Sequence, residues 1–164
     1  MSPKGTLLTI VIAAGLGLLL FRALRHDGSK PPAGTETRTL EGKPWRLEDQ
    51  RGKVVLLDFW ATWCPYCIKA MPDMKHLHEQ FKDRPGFLMV SVSEDDDAET
   101  VQNFLKNTPL PWIQLLDPHG GGLAPFFGIS GLPTTVLLDK EGKEAARDLP
   151  HGQLAQAITS LLEK

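Results

Sequence analysis

The chain has 164 residues, 41% hydrophobic and 23% charged, with a formal net charge of -2. That length suits one compact domain of ordinary size, and the apolar fraction supports a true core, which excludes wholesale disorder. A near-neutral balance argues against a nucleic-acid binder, and 2 cysteines are too few for a multi-bridge secreted scaffold. The averages conceal two unlike pieces. Residues 1–30 hold Lys4, Arg22, Arg25 and Lys30 against Asp27 alone, so of the 18 basic and 20 acidic groups, 14 and 19 fall on residues 31–164.

From Leu7 to Phe21 every side chain is apolar or small except Thr9. As a helix this run reaches about 22 Å; extended over Thr6–Leu24, with Arg22 snorkelling, it reaches about 28 Å against a hydrocarbon core of about 30 Å. The length fits a minimal transmembrane helix or a signal-peptide h-region. The stretch Phe21–His26 lacks small residues at -3 and -1 of a cleavage site, which favours an uncleaved anchor over residues 1–25. Positive charges flank the run on both sides, so their count does not orient it. Residues 26–36 are polar and rich in Pro and Gly and read as a flexible linker; residues 37–164 form the folded domain.

Within that domain, Thr37–Leu40 and Lys43–Leu47 flank Glu41-Gly42 as a small hairpin. Lys53–Phe59 is a nearly continuous apolar, β-branched run, expected of a strand buried on both faces. A helix follows Cys64-Pro65 to about Lys82, with Ile68, Met71, Met74, Leu77, His78 and Phe81 at inward spacing and Pro72 expected to kink it. Gly86–Val92 is a second central strand. Glu94-Asp95-Asp96-Asp97 lacks calcium-loop spacing and reads as a solvated loop in which Asp96 and Glu99 cap a helix over Ala98–Asn107. Trp112–Leu116 is a short strand, His119–Gly122 a flexible turn, and Leu123–Phe127 a helical turn. Thr134–Asp139 and Lys143–Arg147 form a hairpin about Glu141-Gly142, and Gln153–Leu162 a final helix. Alternation of this kind predicts an α/β fold, a mixed central sheet covered by helices.

The chemistry concentrates at Trp63-Cys64-Pro65-Tyr66-Cys67. Two thiols separated by two residues, opening a helix after a buried strand, can close a disulfide without distorting the fold. At the helix N-terminus, unpaired N–H groups and the positive dipole end favour a Cys64 thiolate, which makes it the nucleophile. Cys67, one turn inside and expected to be the more buried, resolves the mixed disulfide. Pro65 costs no hydrogen bond in the first turn. A structural staple is a weak alternative, because so short a loop removes only about 2 kcal/mol of unfolded-state entropy. A zinc site would need His76 and His78 together, and positions two apart on a helix do not share a face.

The run Asp58–Cys67 resembles the active-site strand and turn of the thioredoxin superfamily. With Gly52-Lys53-Val54-Val55 and Phe59–Trp63 it is similar to the membrane-tethered TlpA/ResA-like branch. Gly131-Leu132-Pro133-Thr134-Thr135 resembles the cis-proline loop of that family, and Leu137–Lys143 its final hairpin. The likeness covers residue 37 to the end. It implies a thioredoxin-like fold with an N-terminal β-hairpin and a central helical insertion. It also implies a cis Pro133 beside the disulfide, with the Leu132 backbone pairing substrate, and a buried Asp58 carboxyl of raised pKa that accepts the Cys67 proton. Trp63 and Trp60 are expected to wall the dithiol and pack the core, with Pro65, Tyr66 and Trp63 supporting substrate. Ala70 stands where many relatives in this branch carry an acid, and Thr134 where those dedicated to cytochrome c maturation often carry Glu. Both absences weaken an assignment to haem-protein maturation.

The resulting expectation is a thiol–disulfide oxidoreductase acting on protein dithiols and disulfides. It uses no cofactor beyond the Cys64–Cys67 pair, no metal and no nucleic acid. The family implies a bacterial cytoplasmic membrane protein facing the periplasm, recharged by a transmembrane thiol reductase. The competing expectation is a copper metallochaperone with Cys64, Cys67 and a histidine as ligands.

Overall fold

A computed structural model describes residues 37–118 and 122–164. The anchor and linker expected over residues 1–36, and most of the turn at 119–122, lie outside the described residues. In chain order the elements are β1 (Thr37–Thr39), β2 (Pro44–Trp45), a 3-10 turn at Glu48–Gln50, β3 (Val54–Trp60), α1 (Pro65–Phe81), β4 (Phe87–Ser93), α2 (Ala98–Asn107), β5 (Ile113–Leu116), α3 (Leu123–Phe126), β6 (Thr134–Leu138), β7 (Glu144–Arg147) and α4 (His151–Leu162). The strands form a 7-stranded sheet in the order β2-β1-β5-β4-β3-β6-β7. β4 runs parallel to both β3 and β5, whereas β6 returns antiparallel to β3 and the two outer hairpins are antiparallel. This is the expected α/β thioredoxin-like fold.

β3 is central because each of its residues is buried. Alternation along it builds two cores at once. Val55, Leu57 and Phe59 face Val90, Val92, Leu115, Val136 and Phe127 on one side. On the other, Val54 and Leu56 pack with Leu77, Phe81, Leu154 and Ile158, and Trp60 packs with Cys67, Met71 and Val101. Burying Leu56, Leu57 or Phe59 contributes about 1.5–3 kcal/mol each. Asp58 lies between Leu56 and Trp60, so alternation puts its carboxyl on the side covered by α1.

Both Glu-Gly pairs form the expected turns: Gly42 and Gly142 have φ of 78° and 77°, a region in which a Cβ is disfavoured. α1 continues past Pro72, which lies inside it as expected. Other details differ from the sequence reading. Ile68 is 41% exposed instead of facing inward, while Met71, Leu77 and Phe81 carry the buried stripe. The cap of α2 is Asp97, one residue later than expected, because the helix opens at Ala98 and brings Thr100 to the third position. There the Thr100 N–H and hydroxyl donate to the two Asp97 oxygens at 2.8 and 2.9 Å. β5 begins at Ile113, one residue later than expected, and the preceding Trp112 donates its indole N–H to Ser91 Oγ at 2.8 Å.

Candidate active site

The site forms where β3 ends and α1 begins. Cys64 is the extended residue that caps α1, Pro65 supplies its first turn, and the Cys67 N–H points at Cys64 Sγ, 3.1 Å away. The two cysteines are joined by a disulfide with Cα atoms 5.3 Å apart. Both are buried, Cys64 at 4% and Cys67 at 3% exposure, so the expected contrast in burial between them is absent in this oxidised form. What projects is the frame around them. Trp63 is 62% and Tyr66 73% exposed, whereas Trp60 is 1% exposed. The two tryptophans therefore divide the duties expected of both. Trp60, the last residue of β3, fills the core; Trp63, out in the turn, faces solvent.

The turn itself is held from β4. Cys64 N–H donates to Ala61 O at 3.2 Å, and Glu94 N–H to Trp60 O at 2.9 Å. Asp95, only 2% exposed, takes the Thr62 N–H on Oδ2 at 3.0 Å and the Thr62 hydroxyl on Oδ1 at 2.6 Å. Ser93 Oγ adds a third bond to Asp95 Oδ2 at 2.6 Å. This corrects the reading of Glu94–Asp97 as a solvated loop: one of the four acids is interior and clamps the chain at Thr62, two residues before Cys64. Asp95→Ala is expected to cost about 2–4 kcal/mol in urea unfolding, because it removes a charged acceptor and strands the buried groups that bonded to it. A loss below about 0.5 kcal/mol would show that the carboxylate does not hold the turn.

The opposite wall comes from the loop before β6. The register pairs Asp58 with Thr135 and Phe59 with Thr134, so the chain just before β6 arrives beside the end of β3. There the Leu132–Pro133 peptide is cis, as the resemblance implies. Leu132 packs against the cluster containing both cysteines. Trp63, Cys64, Pro65 and Tyr66 on one side, and Ile129 to Leu132 on the other, enclose an open depression of about 440 Å³ with Glu94 at its edge.

Below the site, the Asp58 carboxyl is 8% exposed and its Oδ2 accepts the Ser91 hydroxyl at 3.0 Å. Burial pushes its pKa up to about 6, against the opposing pull of the Ser91 hydrogen bond. Sequence reasoning missed Ser91 and Asp95 alike. The signal for Ser91 and Ser93 was present in β4, where two hydroxyls alternate within an otherwise apolar buried run, which directs both to one face.

The described histidines, His76, His78 and His151, have partners other than the dithiol. His76 packs against His151 with ring centroids 5.6 Å apart, His151 Nε2 lies 2.9 Å from Asp73 O, and His78 stacks on Trp112 at 5.0 Å. Among the described residues no group of three or more His, Cys, Asp or Glu side chains converges as a ligand set. No described histidine thus supplies the third ligand that the copper alternative needs, and that alternative finds no support here.

Fold and dithiol together define a thioredoxin-like thiol–disulfide oxidoreductase. The chain belongs to the Redoxin family, whose match covers residues 26–157. It is 30% identical over 163 residues to thiol-disulfide oxidoreductase ResA of Bacillus cereus, spanning 96% of this chain and 92% of that protein. Among solved structures, a thiol-disulfide oxidoreductase from Bacteroides fragilis superposes with a TM-score of 0.66 at 30% identity, over 78% of this chain and 93% of that one. A Chlorobium tepidum protein assigned as thiol:disulfide interchange protein DsbE gives 0.72 at 29% identity, over 84% and 97%.

Proposed function

We propose that the chain reduces disulfides of extracytoplasmic proteins from a membrane tether, with Cys64 as nucleophile, Cys67 as resolving thiol and Asp58 as the base between the two half-reactions. The observation that carries the reading is a disulfide at the start of α1, directly after the strand that holds a buried carboxyl. A cysteine caps α1, its partner lies one turn inside, and Asp58 is buried in β3 two residues before Trp60, which packs with both cysteines. The likeness to ResA and to the DsbE-type structure supports the reaction class, and the apolar run Leu7–Phe21 supports the tether. Among the described residues no helix is long and apolar enough to cross a membrane, so the tether rests on that run.

In the reduced protein, the Cys64 thiolate attacks one sulfur of a substrate disulfide. The substrate S–S bond breaks, its first sulfur leaves and takes a proton, and a Cys64–substrate disulfide forms. Asp58, ionised above about pH 6, then accepts the proton of Cys67. The Cys67 thiolate attacks Cys64 Sγ, the second substrate sulfur departs, and the Cys64–Cys67 disulfide closes. Two electrons have passed from the protein dithiol to the substrate. A donor dithiol, in this reading that of a transmembrane reductase, must return them.

The direction of flow is open to one measurement on the purified chain. A reduction potential below about -250 mV for the Cys64–Cys67 couple, with catalysed reduction of insulin disulfides, is the expected result. A value near -120 mV would make the chain an oxidant and overturn the proposed direction.

A further inference from the structure

Asp58 is not alone beneath the dithiol. Its Oδ2 accepts the Ser91 hydroxyl at 3.0 Å, and Ser91 Oγ in turn accepts the Trp112 indole N–H at 2.8 Å. Ser91 is fully buried and Asp58 nearly so, while Trp112 is half-buried and backed by the His78 ring at 5.0 Å. An indole N–H can only donate, and a serine hydroxyl has a single proton. The Trp112 bond therefore occupies Ser91 Oγ as an acceptor and leaves its proton for Asp58. The parallel register that sets Ser91 opposite Asp58 makes this arrangement a property of the sheet.

From this chain of hydrogen bonds we infer that Ser91 and Trp112 are positioning residues, which keep Asp58 Oδ2 engaged as an acceptor and reserve Oδ1 for the proton released by Cys67. The inference rests on the base role proposed for Asp58. It adds an orientation to it: the carboxyl is turned so that the atom changing protonation is the one left free by β4. The groups around Asp58 are consistent with so local a control. On the β4 side are the neutral hydroxyls of Ser91 and Ser93. On the β6 side is Thr135, whose amide is held by Asp148 Oδ1 at 2.8 Å. On the α1 side, Trp60, the next residue on the same face of β3, packs with Cys67, and His78 lies behind the Trp112 ring. Burial and the Ser91 bond are what govern the Asp58 titration.

The test follows the carbonyl stretch of protonated Asp58 by infrared spectroscopy against pH in the full chain, with Asp58→Asn as the blank. Ser91→Ala, which removes the donor to the ionised form, is expected to raise the midpoint by about one pH unit. Trp112→Phe, which frees Ser91 Oγ from its fixed role, should raise it by less, and Ser91→Thr should return it to the wild-type position. The double variant Ser91→Ala, Trp112→Phe should shift no further than Ser91→Ala, since the indole acts through the hydroxyl. Midpoints unchanged in both single variants, or additive in the double, would overturn the inference. Failure of the underlying reading has a different signature. Asp58→Asn would then resolve a preformed mixed disulfide as fast as wild type, whatever the infrared midpoints do.

Discussion

Cys64→Ser is expected to abolish insulin-disulfide reduction, a loss on the order of a thousand-fold or more, as follows when the nucleophile of a covalent mechanism is removed. A serine hydroxyl does not ionise near neutral pH, so the dipole and N–H groups at the start of α1 have no anion to stabilise. Its partner variant gives the complementary result. Cys67→Ser should still attack a substrate disulfide once, then stall, because no thiol remains to attack Cys64 Sγ. Non-reducing electrophoresis should therefore trap a Cys64–substrate adduct in Cys67→Ser and none in Cys64→Ser. Undiminished turnover in Cys64→Ser, or the reversed trapping pattern, would remove the assigned order of attack. Neither substitution should unfold the chain, since the short Cys64–Cys67 loop contributes only about 2 kcal/mol by loop entropy.

Asp58→Asn should have opposite effects on stability and on rate. Burial raises the folded-state pKa of Asp58 from 3.8 to about 6. Below about pH 4 the carboxyl is protonated whether the chain is folded or not, and it adds nothing to the pH dependence. Between about pH 4 and 6 the unfolded chain gives up this proton while the folded one keeps it, so stability falls as pH rises. Above pH 6 the penalty is complete, about 3 kcal/mol for a displacement of that size. Asparagine keeps the shape and an acceptor for Ser91 but cannot ionise. Urea unfolding of the oxidised protein should thus find Asp58→Asn more stable by about 2–3 kcal/mol at pH 7.5 and nearly equal to wild type at pH 4. A gain of the same size at both pH values would disprove burial of the charge as its cause. In stopped-flow measurements the same variant should slow the step in which Cys67 displaces substrate. The wild-type carboxyl thus stands as a group kept at a cost to stability, the usual mark of a site selected for reactivity.

Much of the fold was legible because β3 and β4 announce themselves. Two apolar runs of strand length, each followed by a helical pattern, leave few arrangements other than a parallel central pair. The dithiol was legible for a related reason: its position just after such a strand is also its function. Side-chain direction beyond the strands was harder to read. Trp63 and Trp60 are three residues apart in one motif, yet one is surface and the other core, because the chain leaves the pleat between them. Asp95 looked like one more acid in a charged run, and nothing in its composition separates it from Asp96 or Asp97. Only the tertiary approach of Thr62 and Ser93 supplies the three donors that let it stay inside. Ser91 and Trp112 are 21 residues apart, so their bond depends on the pairing of β4 with β5, which hydrophobic pattern alone does not register.

The burial of both sulfurs bears on how electrons travel. Exchange requires a thiolate to approach along the S–S axis, and its rate falls with access as well as with nucleophilicity. A disulfide recessed between Tyr66 and Leu132 is kinetically insulated from small thiols that meet it by random collision. A polypeptide that lies down in the depression can bring its sulfur into line. Gated in this way by docking, the couple is expected to have a redox state that follows the partners it fits and not the ambient thiol pool.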